Sequence, residues 1–79
     1  MEEYRLWAKL DKNIYKRIEK LVNDLENDPY FGIGKPEPLR HHLSNFWSRR
    51  INKQHRLIYH IIDDQTIEIV RCKGHYENK

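Results

Sequence analysis

The segment Phe46–Cys72, FWSRRINKQHRLIYHIIDDQTIEIVRC, carries the clearest structural signal in the chain. Phe46–Ile51, Arg56–Ile62 and Thr66–Cys72 are rich in β-branched and aromatic residues, the types that fill a pleated, half-buried surface. Asn52–Gln54 and Asp63–Gln65 interrupt them with turn-forming side chains. Three strands joined by short turns make an antiparallel meander. In the middle strand Leu57, Tyr59 and Ile61 take one face, while Arg56, Ile58 and His60 take the other. A two-residue turn pairing Asn52 with His55 would send Arg50 and Arg56 to opposite faces. An odd connection, or a bulge, puts both arginines on one face, and this is the register expected.

Upstream of the meander the period changes from two to nearly four. Ile14, Ile18, Leu21, Val22 and Leu25 fall on one helical stripe, with Lys16, Arg17, Glu19, Lys20, Asn23 and Asp24 forming a solvated face. Asp11 or Asn13 can cap this helix, and Asn27-Asp28-Pro29 ends it. Tyr4, Trp7 and Leu10 recur at three-residue spacing, which predicts a shorter helix turning near Asp11. Between helices and strands, Gly32, Gly34, Pro36 and Pro38 exclude a regular element over 30–38 and hold the backbone extended. Leu39–Leu43 is expected to make a short helical turn. Helices first and strands afterwards predict one α+β domain over residues 1–79, a helical hairpin packed on an antiparallel sheet.

Seventy-nine residues make a small core, since a chain of this length buries only roughly 60–65% of its unfolded surface. No run nears the ~18 apolar residues of a membrane span, and no stretch reads as a signal peptide. Cys72 is the single cysteine, so no internal disulfide is available and a reducing, cytoplasmic setting is expected. Charge is unevenly placed. Residues 34–59 hold Lys35, Arg40, Arg49, Arg50, Lys53 and Arg56 against one acid, Glu37, a balance of +5 in a chain whose total is +3. These cations are interleaved with Phe46, Trp47, Tyr59, His41, His42 and His55. Guanidinium groups among rings that stack suit a polyanion with bases, and RNA is the leading candidate.

Two local motifs are set aside. Gly32-Ile33-Gly34-Lys35 lacks the four-residue spacing of a phosphate loop and is followed by Pro36. Cys72 and His75 have a metal-like spacing without a second pair. Cleavage of RNA without a metal needs a base for the 2′-hydroxyl, an acid for the leaving 5′-oxygen and positive charge at phosphorus. Glu37, His75 and the arginines are the right residue types for those tasks. Each also has a plainer reading. Glu37 in a proline-rich turn is usually a solvated loop residue, and His75 and Tyr76 near the terminus are usually tail residues or a strand-end cap. Arg49 and Arg50 read as edge protection, Trp47 as core, and Arg56 as the partner of Glu68 or Asp63. On composition alone, RNA binding without catalysis outweighs an enzyme.

A longer pattern reverses that order. Lys35-Pro36-Glu37-Pro38-Leu39-Arg40-His41, Leu43-Ser44, Trp47-Ser48-Arg49-Arg50-Ile51 and His55-Arg56-Leu57-Ile58-Tyr59, closed by His75-Tyr76, resemble the YoeB/Txe family of RelE-superfamily toxins. The resemblance runs from about Glu3 to Tyr76. It implies a ribosome-dependent endoribonuclease that cuts mRNA in the A site and stops translation. It further implies Glu37 as general base, His75 as general acid, Arg56 as stabiliser of the phosphorane and Tyr76 as the residue that orients or stacks the substrate. Lys35, Arg40, Arg49 and Arg50 would contact phosphate, with Arg40 standing where the family usually has lysine. No metal or organic cofactor is implied. The implied partners are mRNA and rRNA of the 30S A site and a YefM/Axe-like antitoxin, and a homodimer is compatible with the family. Two departures stand out. The usual first strand is missing ahead of the first helix, and Glu77-Asn78-Lys79 extend past the tyrosine.

Overall fold

The computed structural model of the chain describes residues 2–40 and 45–74. Two helices, α1 (Glu2–Leu10) and α2 (Lys12–Asn27), precede four strands: β1 (Glu37–Pro38), β2 (Phe46–Arg50), β3 (Arg56–Asp63) and β4 (Thr66–Arg71). The strands form one antiparallel sheet in the order β1-β2-β3-β4. Both helices cover the same face, so the fold is the expected α+β arrangement. Among the described residues no strand precedes α1, and β4 is an edge strand. No helix of these residues is long and apolar enough to cross a membrane.

The helical stripe works as its spacing dictates. Ile18, Leu21 and Leu25 are buried against Leu57, Tyr59 and Ile61 of the sheet, with Ile14 and Val22 half-buried at the margins. Of the two candidate caps, Asp11 is the one used. Its carboxylate accepts from the amides of Asn13 (2.9 Å) and Ile14 (3.2 Å), satisfying donors that the first helical turn leaves free. At the other end Pro29 disfavours helical geometry for Asp28. Asp28 is extended there, and its carboxylate accepts from Tyr30 and Phe31. The short α1 stays in place through its side chains. Tyr4 stacks on Tyr15 at 4.7 Å, Trp7 Nε1 donates to the Cys72 carbonyl (2.8 Å), and the Glu3 carboxylate accepts from Cys72 and Lys73.

The sheet register is the odd one. Arg50 lies directly opposite Arg56, Arg49 opposite Leu57 and Trp47 opposite Tyr59. The five residues of the connection are braced from within. Ile51 and Asn52 donate to the His55 carbonyl, and Asn52 Oδ1 accepts from Gln54 and His55. Residues 30–38 depart from expectation at one point, because Glu37 and Pro38 pair with Ser48 and Trp47 as a two-residue strand. Proline is tolerated there because β1 is an edge, where an amide can be dispensed with. Leu39 prolongs the pairing by donating to the Phe46 carbonyl (2.9 Å). Most of the helical turn expected over Leu39–Leu43 lies outside the described residues.

Candidate functional site

Paired residues of an antiparallel sheet share a face, and faces alternate along each strand. From Glu37↔Ser48, Ser48↔Ile58 and Arg50↔Arg56 it follows that Glu37, Ser48, Arg50, Arg56 and Ile58 lie on one side. That side is opposite the helices, because Leu57, Tyr59 and Ile61 carry the core. Phe46 and His60 belong to the same face and stack with parallel planes, 4.1 Å between ring centres. A carboxylate, two guanidinium groups and a stacked pair of rings thus share a solvent-facing surface.

Two like charges directly across a strand pair oppose each other, so Arg50 and Arg56 need local compensation. Backbone carbonyls supply it. Arg56 Nη1 donates to Asn52 O (2.7 Å) and His55 O (3.1 Å), which replaces the ion pair with Glu68 or Asp63 as its anchor. Asp63 is engaged in its own turn, where the Gln65 amide above all, with Thr66, holds its carboxyl below the usual range. Arg17 enters from α2 and donates to the carbonyls of Arg50 and Ile51, both at 3.3 Å. Arg17, Arg50, Lys53 and Arg56, with Ile51 and Asn52, line an open cleft of about 420 Å³ around the turn. By helical spacing Arg17 belongs to the solvated face of α2. Its place in the cleft depends on how α2 crosses the sheet, and helical spacing carries no signal of that.

The approach to Glu37 is built by the glycine-rich loop. Gly34 has φ +81°, in the region that favours glycine, and its carbonyl accepts from Arg50 N at 2.6 Å. A Cβ there would meet Leu21 Cδ2 at 2.7 Å. Lys35 follows at φ 51°, exposed, then Glu37 exposed on β1 and Arg40 exposed beyond it. Gly32-Ile33-Gly34-Lys35 is therefore a turn fitted against α2 and β2, consistent with its rejection as a phosphate loop.

Arg49 corrects the expectation that it contacts phosphate or protects an edge. It is fully buried, and all five of its N–H donors have partners. Nε donates to Tyr59 Oη, Nη1 to Asp24 and the Ile33 carbonyl, and Nη2 to the carbonyls of Asp28 and Phe31. Strand alternation decides this: Arg50 faces solvent, so Arg49 must face the helices. Its hydrogen bond pulls the Asp24 carboxyl below the usual range, and burial raises Tyr59 despite the nearby guanidinium. Trp47, on the same side, is half-buried against the core and edge-on to Tyr30.

His55 is also buried, edge-on to Trp7 at 4.8 Å, with Nδ1 accepting from Gly74 N at 2.8 Å. The Gly74 carbonyl accepts from Arg56 N at 3.1 Å. Gly74 is thereby fixed beside Arg56. His75 and Tyr76, the expected acid and substrate-orienting residue, lie outside the described residues, as do His41 and His42. Cys72 is buried, and burial pushes its thiol up to about 11.

The family model for the YoeB-like toxin of bacterial type II toxin–antitoxin systems matches residues 1–76. The chain belongs to the YoeB-like toxin family. It is 48% identical to toxin YoeB of Escherichia coli over 75 residues, covering 95% of this chain and 88% of that one. A YoeB/ParE toxin from Agrobacterium tumefaciens superposes with a TM-score of 0.89 at 34% identity, covering 95% of this chain and 88% of its own. Staphylococcus aureus YoeB, solved as a dimer, gives 0.86 at 42%, and its complex with YefM gives 0.83 at 41%. Both cover 95% of this chain and 86% of theirs. This YoeB-like chain is thus a toxin of a type II toxin–antitoxin system, with the α+β fold of its relatives.

Proposed function

We propose that this toxin is an endoribonuclease that cuts mRNA in the ribosomal A site by general acid/base catalysis from its own side chains. The observation that carries the proposal is the shared face of Glu37, Arg50 and Arg56, set by the pairings Glu37↔Ser48, Ser48↔Ile58 and Arg50↔Arg56. Glu37 takes the proton from a ribose 2′-hydroxyl. The 2′-oxygen attacks the adjacent phosphorus, and the bond from phosphorus to the 5′-oxygen breaks as that oxygen takes a proton from His75. Arg56 meets the charge that develops on the non-bridging oxygens, and Arg50 holds the same phosphate. Lys35 and Arg40 contact the backbone nearby, and Tyr76 orients the substrate. The products are a 2′,3′-cyclic phosphate or its 3′-phosphate hydrolysis product, and a free 5′-hydroxyl.

Support for the acid comes from Gly74, the residue before His75, which is bonded to both His55 and Arg56. The toxin works in the cytoplasm, where ribosomes are. Its basic face is the surface for a YefM-like antitoxin with an acidic segment that orders on binding. Self-association follows the S. aureus dimer.

Primer-extension mapping of transcripts tests the proposal in cells expressing the wild type, Glu37→Gln or His75→Gln. The enzyme reading expects discrete cuts with the wild type and a loss of about 10²–10⁴ in rate with either variant, while ribosome binding persists. Variants that still arrest translation with an unchanged transcript pattern would instead identify a non-catalytic ribosome binder.

A further inference from the structure

We infer that the cleft around the β2–β3 turn extends the scissile-phosphate site held by Arg50 and Arg56, so that Arg17 and Lys53 take a neighbouring RNA backbone phosphate. The inference rests on the ribonuclease reading and adds to it a site that includes Arg17 and Lys53. Among the described residues, four cations line the cleft and no carboxylate does. They come from three directions: Arg17 from α2, Lys53 from the tip of the turn, and Arg50 and Arg56 from the sheet face that carries Glu37. The cleft therefore wraps around the end of the sheet. A strand with its scissile phosphate near Glu37 meets Arg50 and Arg56 first, then Lys53 and Arg17 as it leaves the face.

Rigidity separates this cleft from an ordinary solvated patch. Arg17 is held by the carbonyls of Arg50 and Ile51, and Arg56 by those of Asn52 and His55. The turn that supplies three of these carbonyls is itself braced by the Asn52 side chain. Folding has already restricted both guanidinium groups, so binding an anion costs them little further rotamer freedom. Each keeps N–H donors beyond those bonded to the backbone. Like charges gathered in one place repel one another, and an anion seated among them offsets that repulsion. A phosphodiester supplies this charge as part of a polyanion, so its binding releases counterions and weakens with salt. Free phosphate shares the chemistry without the polyanion, which lets experiment tell the two apart.

The test measures binding to 70S ribosomes programmed with a short mRNA, across a salt series, with Glu37→Gln as the uncleaving parent. Lys53→Ala and Arg17→Lys are compared with a control at Lys20→Ala, a cation on α2 outside the cleft. Lys53 is exposed, so its variant keeps the fold; Arg17→Lys retains charge while losing the two-carbonyl anchor. Lys53→Ala should lower the slope of log affinity against log salt by about 0.7–1, and Lys53→Glu should lower affinity further. Arg17→Lys should weaken binding, and Lys20→Ala should match the parent. Equal slopes and affinities for parent and cleft variants would overturn the inference, as would a parent that shows no salt-dependent binding. Competition by millimolar inorganic phosphate, lost in Lys53→Ala while the RNA slope stays unchanged, would reassign the cleft to free phosphate and overturn it too. Failure of the nuclease reading shows separately, as transcripts left uncut by the wild type.

Discussion

Arg49 Nη1 lies 2.6 Å from Asp24 Oδ2, tying β2 to α2 beneath the surface that carries Arg50. The same guanidinium gathers the carbonyls of Asp28, Phe31 and Ile33, so one side chain organises the loop that leads to Glu37. Replacing Arg49 with Leu would keep bulk and strip the loop carbonyls of their donors. A loss of about 3–5 kcal/mol is expected, large against the margin of so small a domain. Urea unfolding measures it, and a loss under 1 kcal/mol would deny Arg49 this organising role.

Acid should weaken the same junction. The Asp24 carboxyl sits below its ordinary value of 3.8, first through the Arg49 hydrogen bond and then through the Ile33 amide. A carboxyl lowered by folding contributes stability that is fully present above its unfolded value and is lost as pH falls through the folded one. Asp63, lowered by the Gln65 amide, adds in the same direction. Stability should therefore be flat with respect to these two groups near neutrality and decline below about pH 4. In urea titrations from pH 7 to pH 3, Asp24→Asn should show a shallower decline than the wild type.

Gly34→Ala tests the loop from its backbone. A left-handed conformation costs an L-residue about 1–2 kcal/mol, and here the new methyl would also press on Leu21 Cδ2 at 2.7 Å. The urea midpoint should fall by at least that equivalent. Cleavage measured where the variant remains folded should fall too, because the Gly34–Arg50 bond positions the segment entering β1.

His55→Ala separates packing from positioning. It removes the edge-on contact with Trp7 and the acceptor for Gly74 N. A stability loss of about 1–3 kcal/mol is expected. If Gly74 serves to present His75, cleavage per folded molecule should drop by more than that of an equally destabilised Leu25→Ala control. Equal activity in the two would confine His55 to the core.

Much of this architecture was legible in residue spacing. The stripe of Ile18, Leu21 and Leu25, the alternation of Leu57, Tyr59 and Ile61, and the caps around Asp11 and Asp28 are local patterns with local causes. The shared face of Arg50 and Arg56 agrees with the odd register expected from the sequence, while their direct pairing is seen only in the sheet. For Arg49 the charge points to the surface and the alternation from Arg50 points inward, and the alternation prevails. The strand at Glu37–Pro38 has no signal in the sequence, because its two residues are strand-like only through their partners Ser48 and Trp47.

By itself the sequence carried the class of fold and the family, and it supplies residue types suited to the proposed chemistry, because periodicity and an ordered motif string are properties of the chain alone. Tertiary structure alone decided that Glu37 joins the face of Arg50 and Arg56, and that Asp24 is the partner of the inward Arg49. It also brought Arg17, 33 positions before Arg50, onto the same turn. The physical reason is that a buried guanidinium must find its acceptors across elements distant in sequence, and the crossing of α2 over the sheet determines where those acceptors stand.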